Sequence, residues 1–197
     1  MDNKKKSSFF IKYNAPVTLT FALICLIALG LGEMTNDRIT RTFFAVYRSK
    51  ISFAWFVRLF GHSLGHISFD HFFGNMTLFL LLGPILEEKY GSKNLLEMIA
   101  ICSVVESVVQ IVFIRNTALL GASGVVFMMI ILASAVNLKE DRIPLTMILI
   151  ILIYLGKEIW AQFTAHDHIS HITHIVGGLC GAVFGFMYAK DLGKKKS

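Results

Sequence analysis

The chain has 197 residues, of which 55% are hydrophobic and 16% charged. A soluble domain carries about 25% charged residues, so this composition excludes an ordinary water-soluble fold and points to a single membrane domain. The formal charge of +6 gathers in the two tails and the loops, which reads as membrane topology and excludes a nucleic-acid surface. Cys25, Cys102 and Cys180 stand in separate apolar runs with no Cys-x-x-Cys among them. That spacing suggests neither a disulfide framework nor a thiolate zinc site, and leaves buried, inert thiols.

Residues 1–14 form a polar tail with Lys4, Lys5, Lys6 and Lys12. Residues 15–32 are long enough to cross a bilayer, which takes ~20 residues. They outrun a signal-peptide core of ~7–15 residues, and no small-x-small cleavage motif follows, so a first transmembrane helix is expected. From Glu33 to Gly65, Arg38, Arg41, Arg48, Lys50 and Arg58 are interleaved with Phe43, Phe44, Tyr47, Trp55 and Phe60. This mixture suits short helices lying at the membrane–water interface.

A second span is predicted over 66–86, capped by Ser68 or Asp70 and stopped by Gly91. A third runs over 95–114 and carries Glu97, Glu106 and Gln110. After the turn at 115–120 a fourth covers 121–138, and the charged turn 139–142 leads to a fifth, opened by Pro144 and reaching about Trp160. A polar loop, 162–169, precedes a sixth span over 170–189 and a basic end with Lys190, Lys194, Lys195 and Lys196. Six crossings put both ends on one side, and the lysines of the short loops and tails make that side cytoplasmic. The expected organisation is a cytoplasmic tail at 1–14, an all-α six-helix membrane domain at 15–189, and a basic cytoplasmic tail at 190–197. No internal repeat supports an inverted-repeat transporter.

Polar residues inside spans are expensive and mark function. Gly121-Ala122-Ser123-Gly124 opens the fourth span. It is either a small-residue packing face or a serine nucleophile at a helix start, whose free N–H groups suit a developing negative charge. His174 stands in the sixth span, and at ~100° per residue Gly177, Gly178, Gly181 and Gly185 share its face. A face stripped of side chains can pack closely on the fourth helix, which would bring the Ser123 hydroxyl to the His174 imidazole. That pair is a nucleophile and its base. His71 and Asn75 lie one turn apart on the second span, with His66 ahead of them, and their N–H groups can stabilise an oxyanion together with the Ser123 N–H. Zinc on some of the seven histidines is a rival, but it leaves Asn75 and the Gly-x-Ser-Gly run without a role.

Together these motifs resemble the rhomboid intramembrane serine proteases. The likeness covers roughly Arg58 to Ala189 and rests on His66-x4-His71-x3-Asn75, Glu87-x3-Gly91, Gly121-Ala122-Ser123-Gly124 and His174-x2-Gly177-x3-Gly181, in the family's order and spans. It implies a six-transmembrane-helix rhomboid-like bundle with a long interfacial first loop. It also implies a serine-type endopeptidase in which Ser123 is the nucleophile, His174 the base, and His71, Asn75 and the Ser123 N–H the oxyanion site. His66 and Gly121 would be structural. No metal or organic cofactor is implied, and the partners are transmembrane protein substrates and the lipid bilayer of a bacterial cell. The site would be a water-filled cavity capped by residues 162–169. The rivals are a non-catalytic rhomboid-like protein that binds transmembrane helices and a histidine-lined metal transporter. Two departures stand out. Val57 replaces the Trp of the family's Trp-Arg pair, and Phe127 stands where many members have a Tyr against the histidine.

Overall fold

The computed structural model describes residues 13–114, 117–135, 143–156, 160 and 171–194. Among these, regular structure is helical, with one isolated bridge between Val46 and Leu119. In chain order the helices are α1 (Pro16–Met34), a π-turn (Thr40–Phe44), α2 (Phe53–Gly61), α3 (Phe69–Tyr90), α4 (Ser92–Phe113), α5 (Ser123–Ser134), α6 (Leu145–Ile150, continued by a π-turn Ile151–Leu155) and α7 (His171–Lys194). Helices α1, α3, α4 and α7 are long and apolar enough to cross a membrane, and α5 is a shorter apolar helix.

The outside of this bundle is apolar, and polar groups are set into its interior beside the hydrophobic core. Leu23, Ile27, Phe73, Leu81, Ile101 and Val108 are exposed, while Thr18, Ser103, Glu106, Ser107 and Gln110 are buried. Water would penalise such a surface, whereas lipid tails accept it, and the inner polar groups then find partners within the protein. Ser107 donates to the Leu59 carbonyl at 3.0 Å, and Gln110 Nε2 to the Thr117 carbonyl at 2.8 Å.

Local chemistry fixes the helix ends. Pro16 opens α1, where its missing N–H costs nothing. Ser68, and not Asp70, caps α3 by accepting from His71 N at 3.2 Å, so the helix starts at Phe69 and leaves His66 in the preceding turn. Gly91 ends α3 at φ +83°. Helix α5 stops earlier than the apolar run suggests, with Ala135 as its C-cap. Pro144 lies just ahead of α6, and α7 runs past Ala189 to Lys194. The 162–169 loop, residues 1–12 and residues 195–197 fall outside the described residues.

Glu87 ties α3 to α1. Its carboxylate accepts from Val17 N at 2.9 Å, Thr18 N at 3.0 Å, Thr18 Oγ1 at 2.8 Å and Ser92 Oγ at 2.7 Å. A helix start presents unpaired N–H groups and partial positive charge, and here a neighbouring helix supplies the cap. The approach is close because Gly83 has no side chain: a Cβ there would sit 2.6 Å from Thr18 Oγ1. Phe21 and Phe79 stack above it with centroids 4.6 Å apart.

The connection from α1 to α3 is ordered by Arg58, which is buried. Its Nε donates to the Thr42 carbonyl at 2.8 Å, an Nη to Ser49 Oγ at 3.1 Å, and the guanidinium lies 4.2 Å from the Tyr47 ring centre. Val46 then pairs with Leu119 through hydrogen bonds of 2.8 and 2.9 Å. The first loop is thereby fastened to the segment that leads into α5.

Glu87→Ala strands two backbone donors and two hydroxyls. Hydrogen bonds to a charged group contribute about 1.5–3 kcal/mol, so this variant should unfold at least several degrees lower in a detergent thermal melt. Glu87→Gln, which keeps an acceptor, should fall between it and the native chain. Equal melting of Glu87→Ala and native protein would contradict the clamp.

Candidate active site

Helix α5 packs on α7 more extensively than any other two described helices pack on each other. The reason is the row of glycines. A Cβ on Gly177 would run into the Gly124 carbonyl, one on Gly181 into the Met128 carbonyl, and one on Gly185 would come 2.6 Å from Ala135 Cβ. Backbone therefore meets backbone along one face of α7.

At the upper end of this contact Ser123 is the first residue of α5, and His174 lies in the first turn of α7. Ser123 Oγ and His174 Nε2 are 2.8 Å apart, and both residues are half-buried. With its proton on Nδ1, the imidazole accepts the serine hydrogen through Nε2. Phe127, one turn along α5, stacks flat on the His174 ring, centroids 4.6 Å apart and planes inclined by 6°. The family's tyrosine hydroxyl is absent, yet the ring contact is made.

The other wall comes from α3. The backbone at Gly121 has φ +120°, a conformation open to glycine and rarely to other residues. A Cβ at this point would sit 2.6 Å from His71 Cε1 and 3.6 Å from Asn75 Nδ2. Both side chains thus lie against the backbone that leads into Ser123. Asn75 is 8% exposed and its Nδ2 has no hydrogen-bond partner. A buried amide with an unused donor beside the backbone that leads into Ser123 is open to an acceptor from outside the chain. His66 packs edge-on against His71 at 5.2 Å and against Phe72 at 5.5 Å, and its Nδ1 lies 3.3 Å from the Leu64 carbonyl. The residues expected from sequence, Ser123, His174, His71 and Asn75, are therefore brought to one place, with Gly121 and His66 supporting it.

Two features were given no place in the site by the sequence. Glu106 comes up from α4 beneath the crossing, its Oε2 2.8 Å from where a Gly124 Cβ would stand and its Oε1 3.0 Å from that of Gly177. Its position inside an apolar run was the only signal. His62, buried behind α3, places Nε2 3.0 Å from the Ser103 carbonyl, while the His62 carbonyl accepts from Gly121 N at 2.8 Å. Among the described residues no three histidine, cysteine or acidic side chains converge to hold a metal ion; His166 and His168 lie outside those residues.

Comparison with known proteins gives the site a context. The rhomboid domain model matches residues 54–191. The chain is 24% identical over 187 residues to "Rhomboid protease GlpG" of Haemophilus influenzae, covering 92% of this chain and 95% of that protein. It is 29% identical over 143 residues to "Rhomboid-related protein 1" of Caenorhabditis elegans, covering 68% of this chain and 40% of that longer protein.

Two measurements follow from this geometry. Gly177→Val drives a side chain into the Gly124 carbonyl, and overpacking of this kind costs about 1–3 kcal/mol. The variant should melt lower and lose labelling of Ser123 by a fluorophosphonate, whereas Gly74→Ala, where a Cβ meets nothing within 4 Å, should label normally. The second concerns acid. Burial pushes the imidazoles of His62 and His66 down to about 4, with the nearby His71 adding to the effect at His66. An unfolded histidine titrates near ~6.5. Above that pH neither state binds the proton and the stability is complete; as pH falls from 6.5 toward 4 the unfolded chain takes up protons that the folded chain refuses. Melting temperature should drop across that window, and His66→Gln should flatten the drop.

Proposed function

The chain belongs to the rhomboid family, whose members are generally intramembrane serine proteases, and on that premise we propose that it cleaves peptide bonds in or beside transmembrane segments with Ser123 as nucleophile and His174 as general base. The observation that carries this reading is the 2.8 Å contact between Ser123 Oγ and His174 Nε2. The protein is a multi-pass integral membrane protein; we place both termini in the cytoplasm, on the distribution of its lysines, and propose a bacterial cell membrane as its location.

The steps follow from the positions of the groups. Ser123 Oγ attacks the scissile carbonyl carbon while its proton passes to His174 Nε2. The carbonyl oxygen becomes an oxyanion, held by the Ser123 N–H at the start of α5, by Asn75 Nδ2 and by the His71 ring. His174 then gives its proton to the departing amine and an acyl-enzyme remains. A water, deprotonated by His174, attacks the ester and frees Ser123. The substrate is a transmembrane helix unwound near the cut, because a helical peptide bond is shielded by its own hydrogen bonds. A protein that only grips helices has no use for an unpaired amide next to an activated serine.

Ser123→Ala and His174→Ala should each abolish cleavage of a transmembrane substrate by detergent-purified protein, with little change in melting temperature. The double variant should be no worse than either single one, since the two act as a unit. Asn75→Ala should lower kcat about tenfold or more and leave KM nearly unchanged. Cleavage by Ser123→Ala at the native rate would end the serine-protease reading. Native turnover in an Asn75→Ala protein that melts early would assign Asn75 to packing.

A further inference from the structure

The first loop gathers positive charge around Arg58. The guanidinium is buried and donates to the Thr42 carbonyl and to Ser49 Oγ. Arg41 stands next to Thr42, and Arg48 and Lys50 stand on either side of Ser49. The two contacts that Arg58 makes therefore draw three further cations toward one place, and all three are exposed. Among the described residues no ion pair includes any of the four. Asp37 lies one turn before Arg41, yet its Oδ1 is near Gly32, 3.9 Å from where a Cβ would stand. Lys93, by contrast, has Glu97 at 3.8 Å. Four like charges without a counter-ion repel one another and focus a positive potential, which an anion from outside the chain relieves.

Beside these cations α2 offers an apolar face. At ~100° per residue Phe53, Phe56 and Phe60 fall together, opposite Arg58, and they are 80%, 56% and 51% exposed. Trp55 packs edge-on against Phe56 at 5.0 Å. A free phosphate has no use for three exposed phenyl rings, and hydrocarbon has none for three exposed cations. A short amphipathic helix with basic residues beside it suits a lipid whose headgroup is negative. We propose that the first loop is a binding site for an anionic phospholipid. Arg41, Arg48 and Lys50 donate to the headgroup phosphate, and the acyl chains run along Phe53, Phe56 and Phe60. A zwitterionic lipid carries its own cation next to the phosphate and is attracted less. The bound lipid fastens the loop that Val46 joins to Leu119, on the approach to Gly121.

The chain has two tryptophans, and Trp160→Phe leaves Trp55, on α2, as the single emitter. The full-length Trp160→Phe protein is reconstituted into equimolar phosphatidylcholine and phosphatidylglycerol, with bromine on the acyl chains of one lipid or of the other. Bromine quenches at contact, so Trp55 emission in the two mixtures reports which lipid sits beside α2. Brominated phosphatidylglycerol should quench more strongly, with a several-fold preference that weakens as salt rises. Arg41→Gln, Arg48→Gln and Lys50→Gln together should bring the two mixtures to equality. Because the three side chains are exposed, that variant should melt with its parent. Lys89→Gln with Lys93→Gln should leave the preference unchanged. Equal quenching in the parent protein, no quenching by either lipid, or a preference that survives loss of the three cations overturns the site. Loss of the preference on adding inorganic phosphate at constant ionic strength assigns the cations to phosphate in general and overturns the lipid. Equal quenching in the parent, with slower cleavage by the triple variant of a substrate whose juxtamembrane segment is acidic, gives the cations to the substrate and overturns it as well. The emission readout does not depend on the protease reading.

Discussion

The site depends on two helix backbones touching. With any side chain at Gly177 or Gly181, α7 would stand off from α5 by the width of that group, since both positions face main-chain carbonyls, those of Gly124 and Met128. Between membrane helices there is little hydrophobic drive, so association rests on close packing and on polar contacts. The glycines supply the first and the Ser123–His174 hydrogen bond is one of the second. The same absence of side chains that lets the helices approach sets the distance between the two functional groups. Glycine weakens a helix in isolation by roughly 0.5–1 kcal/mol relative to alanine, which the contact must offset.

Helix α3 fixes the opposite wall by being held at both ends. Near its C-terminal end Glu87 caps α1, and the bare Gly83 lets Thr18 come close. Near its N-terminal end Ser68 caps the first turn, and His71 and Asn75 rest on the glycine at φ +120°. Between these ends Phe79, fully buried, stacks on Phe21. The first loop adds the third support. Arg58 gathers Thr42, Ser49 and Tyr47, and Val46 pairs with Leu119, two residues ahead of Gly121. The arginine does this without the tryptophan that the family sets before it; Val57 takes no part in these polar contacts.

Much of this was legible in the sequence because it depends on local chemistry or on motifs. Length and apolarity located the four helices long enough to cross a membrane, and Gly91 marked the end of α3. The face of α7 followed from the spacing of four glycines after His174. Errors appeared where a boundary is decided by one hydrogen bond: Ser68 won the cap over Asp70 and moved the start of α3 from His66 to Phe69. The apolar run after Ser123 gave no hint of where α5 stops, because residues buried in helix and in turn there are equally hydrophobic. Least legible were contacts between elements far apart in the chain. Glu106 looks solitary in sequence, and only the packing of α4 under α5 and α7 brings it against Gly124 and Gly177. Arg58 was recognisable as a position but not by the groups it would bind.

The support of His174 shows how an imidazole is held by an apolar ring. In the better-known serine hydrolases a carboxylate orients the base and stabilises the imidazolium. Among the described residues the buried acid under the helix crossing, Glu106, takes its hydrogen bond from Cys102. The Phe127 ring lies almost parallel to the imidazole, at 4.6 Å and 6°, which restrains rotation about the terminal torsion of the histidine. A phenylalanine therefore does one part of what a buried carboxylate does in those enzymes, fixing the orientation of the imidazole, without an ionised group beside it, which in a membrane would carry a large desolvation cost. The missing tyrosine hydroxyl removes a hydrogen-bonding group from this position and leaves the ring contact intact.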